Sequence, residues 1–236
     1  MAEGGAPSRE LRVVASHIDL EDVSGRVLFP TPAQGPWMPF ARFAETVSTG
    51  GRTDTETHSH LREEVANYVL EGRVEYEDDL GRRSILEPGT VALFTARDEA
   101  RHNLVPNLSP RARWCSVIVR CPPTTTGPSH RVQIAPAPGP VPGADGIIQR
   151  PLVGLDAPVA SSCGLECLDL QFSGPGRWVG PLGRKRRAVA YVLDGRSRID
   201  DHPVDAGAGA LIESAMELLV VAEAPARLLI ASAPFE

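Results

Sequence analysis

Tyr68-Val69-Leu70-Glu71-Gly72-Arg73 returns 123 residues later as Tyr191-Val192-Leu193-Asp194-Gly195-Arg196, in a chain of 236 residues. Each copy reads as a strand, an acidic-Gly turn and a second strand, because apolar runs flank a dipeptide that tolerates left-handed backbone. A second echo follows: Leu86-Glu87-Pro88-Gly89-Thr90-Val91-Ala92-Leu93-Phe94 is matched at an offset of 118 by Val204-Asp205-Ala206-Gly207-Ala208-Gly209-Ala210-Leu211-Ile212. Two echoes in the same order and at nearly the same offset mark one unit used twice. Outward from them, apolar residues recur at period two in short runs broken by Gly and Pro, as in Val65–Val74, Trp114–Val119, Gly164–Phe172 and Ala188–Ile199. That pattern belongs to sandwiches and barrels. Glu213–Ala222 has some helical propensity, but its Leu218-Leu219-Val220-Val221 run suits a buried strand. The expected fold is all-β, two copies of one barrel.

Between the copies, residues 121–150 are dense in Pro and Gly, which supply poor ladder partners for a central strand. This stretch reads as a linker between a first lobe at 11–120 and a second at 151–236, with residues 1–10 as a flexible start. A net charge of -6 and a pI near 5.6 leave no cationic field for phosphates, so direct nucleic-acid binding is not expected. No apolar run approaches the roughly 18 residues of a membrane span, and MAEGGAPSRE lacks the features of a secretory leader. A cytoplasmic, membrane-free protein is the expectation. Cys115 and Cys121 are six apart and Cys163 and Cys167 four apart, neither a CxxC spacing, which reads as reduced, buried thiols.

Chemistry concentrates on the histidines. His58 and His60 lie two apart, so on a strand they share a face about 6.6 Å apart and can chelate one ion. By the same parity Glu64 faces that interior, whereas Glu63 points away unless a bulge intervenes. His102 follows the Pro88-Gly89 turn. His17, His130 and His202 stand alone, and Phe40, Phe43, Tyr68 and Phe94 are candidates for core or for an apolar wall.

The segment HSHLREEVANYVLEG at 58–72, followed by Pro88-Gly89 and His102, resembles the cupin superfamily and more closely pirin, a bicupin family. Pro39-Phe40-Ala41-Arg42-Phe43 is similar to the family's entry into its first barrel, His58-Ser59-His60 to its HPH, and Tyr68–Gly72 to its YVLEG turn. Thr95-Ala96 and His102 fit the stretch ending in its third histidine, and the region from Leu168-Asp169-Leu170 through Tyr191–Gly195 resembles its second cupin. The resemblance implies two tandem cupin (double-stranded β-helix, jelly-roll) barrels. It also implies one divalent transition metal on His58, His60 and His102, Fe(II) first, with Ni, Mn, Cu or Zn as alternatives. The family's glutamate ligand, two residues past the third histidine, is Leu104 here. Glu64, where many other cupins place a glutamate ligand, becomes the candidate fourth ligand or general base.

The implied activity is that of a quercetinase-like mononuclear metal dioxygenase acting on an enediol, flavonol or polyketide-like small molecule. The alternatives are a non-oxidative isomerase, cyclase or lyase, or a regulator that docks a protein partner, for which the acidic run Glu75, Glu77, Asp78, Asp79 is a candidate surface. The repeat offsets put Pro181, Gly183 and Arg187 opposite His58, His60 and Glu64, and Val220 opposite His102. A metal site is therefore expected in the first barrel only.

Overall fold

A computed structural model describes residues 10–19, 25–31, 34–49, 57–106, 108–142, 146–183, 185–213 and 215–235. Among these the regular elements are strands, without an α-helix, and the fold is all-β, two units each built of a seven-stranded and a four-stranded sheet. None of the described segments is a helix long and apolar enough to cross a membrane.

The first compact unit takes residues 16–139 and 151–166. It pairs a seven-stranded sheet, in the order His130–Pro136, Thr90–Ala96, Glu63–Glu71, Ala112–Arg120, Phe40–Ser48, Gly25–Phe29, His17–Asp19, with a four-stranded one, His58–His60, Ala100–Val105, Val74–Asp78, Arg83–Leu86. The inward residues Val65, Val69, Tyr76, Leu86, Phe94, Leu104 and Trp114 form one packed cluster. Alternation along each strand sends these side chains to one face and the charged ones to the other.

The second unit takes the described residues within 1–15, 140–150 and 167–236. Its sheets run Glu10–Ala15, Ala208–Glu213, Arg186–Asp194, Ala226–Pro234, Glu166–Phe172, Ile147–Val153, Val141–Pro142, and Gly176–Pro181, Glu217–Ala222, Arg196–Ile199, His202–Asp205. Its core includes Leu170, Phe172, Val192, Ile199, Ile212, Leu218 and Val220.

The repeated acidic-Gly turn has the same cause in both units. Gly72 (φ +69°) and Gly195 (φ +78°) adopt left-handed backbone, and a Cβ at either would run into a carbonyl oxygen, of Arg111 in one case and Pro225 in the other. Only glycine meets both conditions.

Three local expectations need correction. Glu10–Ala15, divided between a flexible start and the first lobe in the sequence reading, is a strand paired with Ala208–Glu213 of the second unit; residues 1–9 lie outside the described residues. The Pro-rich stretch read as a linker contributes His130–Pro136, paired with Thr90–Ala96 of the first unit, and the strands Val141–Pro142 and Ile147–Val153. Prolines are tolerated because both His130–Pro136 and Val141–Pro142 lie at sheet edges. Cys121 and Cys163, read as thiols, form a disulfide with Cα atoms 5.2 Å apart, whereas Cys115 and Cys167 are free and buried. The bonded partners are 42 residues apart, so the spacing between cysteines close in sequence does not reveal them.

Candidate metal centre

His58–His60 and Ala100–Val105 pair antiparallel, with His102 opposite His58 and Ala100 opposite His60. Direct cross-strand neighbours and residues two apart on one strand share a face, so this register turns all three imidazoles the same way. Their ring centroids form a near-equilateral triangle with separations of 4.8, 4.9 and 5.0 Å. One ring nitrogen from each lies within 4.8 Å of the other two.

Surroundings fix each ring differently. His102 is 1% exposed and stacks flat on Phe94 at 4.5 Å with an interplanar angle of 5°. Burial, then the neighbouring His60, His58 and His130, depress its pKa to about 2, so the ring is neutral at physiological pH. His60 Nδ1 lies 2.7 Å from Glu63 Oε2, and Arg120 Nε lies 3.2 Å from Glu63 Oε1. A carboxylate beside Nδ1 keeps the proton there and leaves the Nε2 lone pair aimed inward. His58 sits on the exposed side of the triangle.

The donor set suits a borderline transition metal. His60 Nε2 and His102 Nε2 are 3.1 Å apart. Two nitrogens each bound about 2.1 Å from one cation stand about 3.0 Å apart at a right angle and about 3.4 Å at a tetrahedral one. His102 Nδ1, on the far side of the ring from that nitrogen, is buried without a hydrogen-bond partner among the described residues.

Glu64 is not brought to the histidines. Arg62 takes φ +53° between the strands His58–His60 and Glu63–Glu71, which belong to different sheets, so parity counted through residues 61 and 62 fails. The turn delivers Glu63 to His60 and sends Glu64 the other way. Its fully buried carboxylate accepts hydrogen bonds from Thr95 Oγ1 at 3.2 Å, Ser162 N and Ser162 Oγ at 2.8 Å each, and Ser161 Oγ. Its metal-capable neighbours are Cys121 and Cys163.

Leu104 is buried in the core, two residues past His102 and opposite Tyr76. Of the four candidate wall aromatics, Phe94 contacts the histidine rings, whereas Phe40, Phe43 and Tyr68 are buried core residues. His130, read as solitary, lies 3.6 Å from Asp78 and 3.4 Å from Asp79, with its ring 5.0 Å from Phe94. Its place on a Pro-flanked edge strand hid this. The acidic run is largely engaged within its own unit: Glu77 pairs with Arg83 at 2.6 Å, Asp78 with Arg82 at 2.7 Å, and Asp79 accepts Arg101 N at 2.9 Å. Burial raises the Asp78 pKa, but hydrogen bonds from Arg82 and Leu80 outweigh it and hold the carboxyl below its usual range. The Tyr76 hydroxyl, buried and donating to Asp78, is held protonated.

In the second unit the position opposite His102 in the repeat is Val220, which is buried, and the position opposite His58 is Pro181. His202 is exposed; the side chain of His17 lies outside the described residues.

A pirin family model matches residues 32–113, roughly a third of the chain and the part containing all three histidines. A Pseudomonas aeruginosa protein named as a candidate quercetin 2,3-dioxygenase is 29% identical over 189 residues, covering 74% of this chain. The chain spans 66% of that relative's length, just under two thirds. Among solved structures, a Geobacillus kaustophilus protein superposes with a TM-score of 0.84 at 21% identity, covering 96% of both chains. A quercetin 2,3-dioxygenase from Acinetobacter baumannii gives 0.82 at 18%, covering 97% of this chain and 80% of that one. A bacterial pirin from Escherichia coli, solved in complex with nickel(II), gives 0.81 at 16%, covering 95% and 99%. At these identities the superpositions establish the fold alone.

Proposed function

We propose that this chain is a pirin-family bicupin whose first barrel holds one divalent transition metal on His58, His60 and His102, and that it acts as a mononuclear dioxygenase on a small enediol or flavonol-like substrate. The observation that carries the reading is the imidazole triangle, with the Nε2 atoms of His60 and His102 3.1 Å apart. The match over residues 32–113 and the relatives named for quercetin 2,3-dioxygenase activity support it. Fe(II) is the first choice of metal, and the nickel(II) complex of the E. coli pirin makes Ni(II) the nearest alternative.

When bound, the metal supplies open positions for a chelating oxygen substrate and for O2, or acts on the substrate as a Lewis acid. The chain does the rest. Phe94 fixes the His102 plane, Glu63 fixes the His60 tautomer, and Arg120 holds Glu63 in place. His58, on the exposed side, marks the face from which a substrate enters.

Leu104 stands where the family has its carboxylate ligand, so the protein ligands are three neutral imidazoles. A metal held by His58, His60 and His102 alone would retain its full positive charge, which would favour substrates with anionic oxygens. That favours, as a second reading, a non-oxidative isomerase or lyase in which charge stabilisation rather than O2 chemistry does the work.

Metal analysis of the purified protein, followed by oxygen uptake with a flavonol and catechol panel, tests the proposal. About one equivalent of metal and substrate-dependent oxygen uptake are expected. Metal with substrate turnover but no oxygen uptake selects the second reading; absence of metal after reconstitution overturns both.

A prediction about Glu63 arises here. Glu63→Ala is expected to weaken metal binding about 10–100-fold, the usual effect of removing a carboxylate behind a ligating imidazole. Glu63→Gln, which still accepts from Nδ1, is expected to recover most of the loss. Titration with a fluorescent chelator as competitor measures both; equal affinities for all three proteins would show that the Glu63 contact does not tune the site.

A further inference from the structure

Glu64, Cys121 and Cys163 form a second buried cluster, in the same unit but separate from the imidazole triangle. One carboxylate oxygen and the two sulfurs lie within 4.8 Å of one another. The carboxylate is fully buried and makes no ion pair with a cation among the described residues, from which it accepts four hydrogen bonds. Three of these end on Oε1 and one on Oε2, which leaves Oε2 with an unused lone pair.

We propose that, when the disulfide is reduced, this cluster is a Zn2+ site with Cys121 and Cys163 thiolates and the Glu64 carboxylate as ligands. Thiolate and carboxylate donors are those zinc takes. The disulfide places the two cysteines with Cα atoms 5.2 Å apart, so both sulfurs reach one ion after small side-chain rotations. The fourth position falls to a water or to the Ser161 hydroxyl, which already points at Glu64.

Charge balance favours the exchange. A phosphine reductant takes up one oxygen from water and delivers two electrons and two protons to the disulfide, giving two neutral thiols beside one carboxylate. Zn2+ then replaces the two thiol protons, which leave to solvent. The buried net charge is one negative in the disulfide, the dithiol and the zinc form alike, so the hydrogen bonds that stabilise Glu64 serve all three. Binding costs no additional buried charge, which is the usual obstacle to placing an ion in a protein interior.

This inference does not rest on the histidine reading, and one experiment separates them. The protein is treated with a water-soluble phosphine or left oxidised, and zinc stoichiometry is measured on both by equilibrium dialysis and mass spectrometry. The reduced protein is expected to bind one equivalent more than the oxidised protein and to release about two protons with it. Cobalt(II) in the same preparation is expected to give a thiolate charge-transfer band in the near ultraviolet, which imidazole ligands do not produce. Cys163→Ser should lose the extra equivalent and the band, and Glu64→Gln should weaken the extra site at least tenfold. Should reduction unfold the unit, zinc is expected to restore its β-sheet circular dichroism. Equal stoichiometry in both states without a charge-transfer band, or a reduced chain that zinc does not refold, overturns the proposal. A histidine site that fails shows instead in the oxidised protein, as loss of the first equivalent.

Discussion

His102→Ala protein is expected to bind its transition metal on the order of 100–1,000-fold more weakly than the parent. A complete site of four ligands yields an apparent binding energy of about 10–16 kcal/mol, so one ligand accounts for roughly 2.5–4 kcal/mol. The next inward side chain on the strand is Leu104, and Asp78, opposite His102 in the ladder, is engaged by Tyr76, Leu80 and Arg82. The fold should survive, because Phe94, on which the His102 ring stacks, is held by the other buried apolar residues of its cluster. Metal content by mass spectrometry and affinity by competition with a chelator, both on protein of unchanged circular dichroism, check the expectation. Undiminished affinity would mean that the imidazole triangle is not where the metal sits. His202→Ala, an exposed histidine of the other unit, serves as the control and should change neither quantity.

The triangle was legible because its logic is short-range. His58 and His60 share a strand, where parity is dependable, and His102 needed only the family pattern to be placed opposite them. Gly72 and Gly195 were legible for a similar reason: an acidic-Gly dipeptide between apolar runs announces a positive φ, and both glycines have one. Glu64 was not legible, because parity counted through Leu61 and Arg62 holds only for a continuous strand. A left-handed residue there ends one strand and starts another in a different sheet, exchanging the roles of Glu63 and Glu64. The disulfide, the edge strand carrying His130 and the pairing of Glu10–Ala15 with Ala208–Glu213 are all contacts between residues distant in sequence. Local pattern does not specify them; they follow from the arrangement of whole sheets.

Glu64 therefore has a different consequence from the one its sequence position suggests. Glu64→Leu, close in size but without acceptors, is expected to lower the stability of the oxidised protein by about 3–5 kcal/mol, the cost of breaking a buried charged network on one side only. For a chain of this size that corresponds to a fall in Tm of about 10 °C. Hydroxyls of Thr95, Ser161 and Ser162 can rotate toward other acceptors, but the Ser162 backbone N–H cannot, and it loses its partner at 2.8 Å. The Ser161 hydroxyl also accepts from Cys163 N and Leu165 N, so displacing it loosens the segment that carries Cys163. Thr95→Val, which removes a single donor at 3.2 Å, should cost about 1 kcal/mol or less. Differential scanning calorimetry measures the loss, and metal analysis of the folded oxidised protein separates the two accounts of this residue. An anchoring carboxylate predicts a lowered Tm with metal content intact. A ligand or base at the histidines predicts the reverse, an unchanged Tm with metal or turnover diminished, and that result would return Glu64 to the imidazole site.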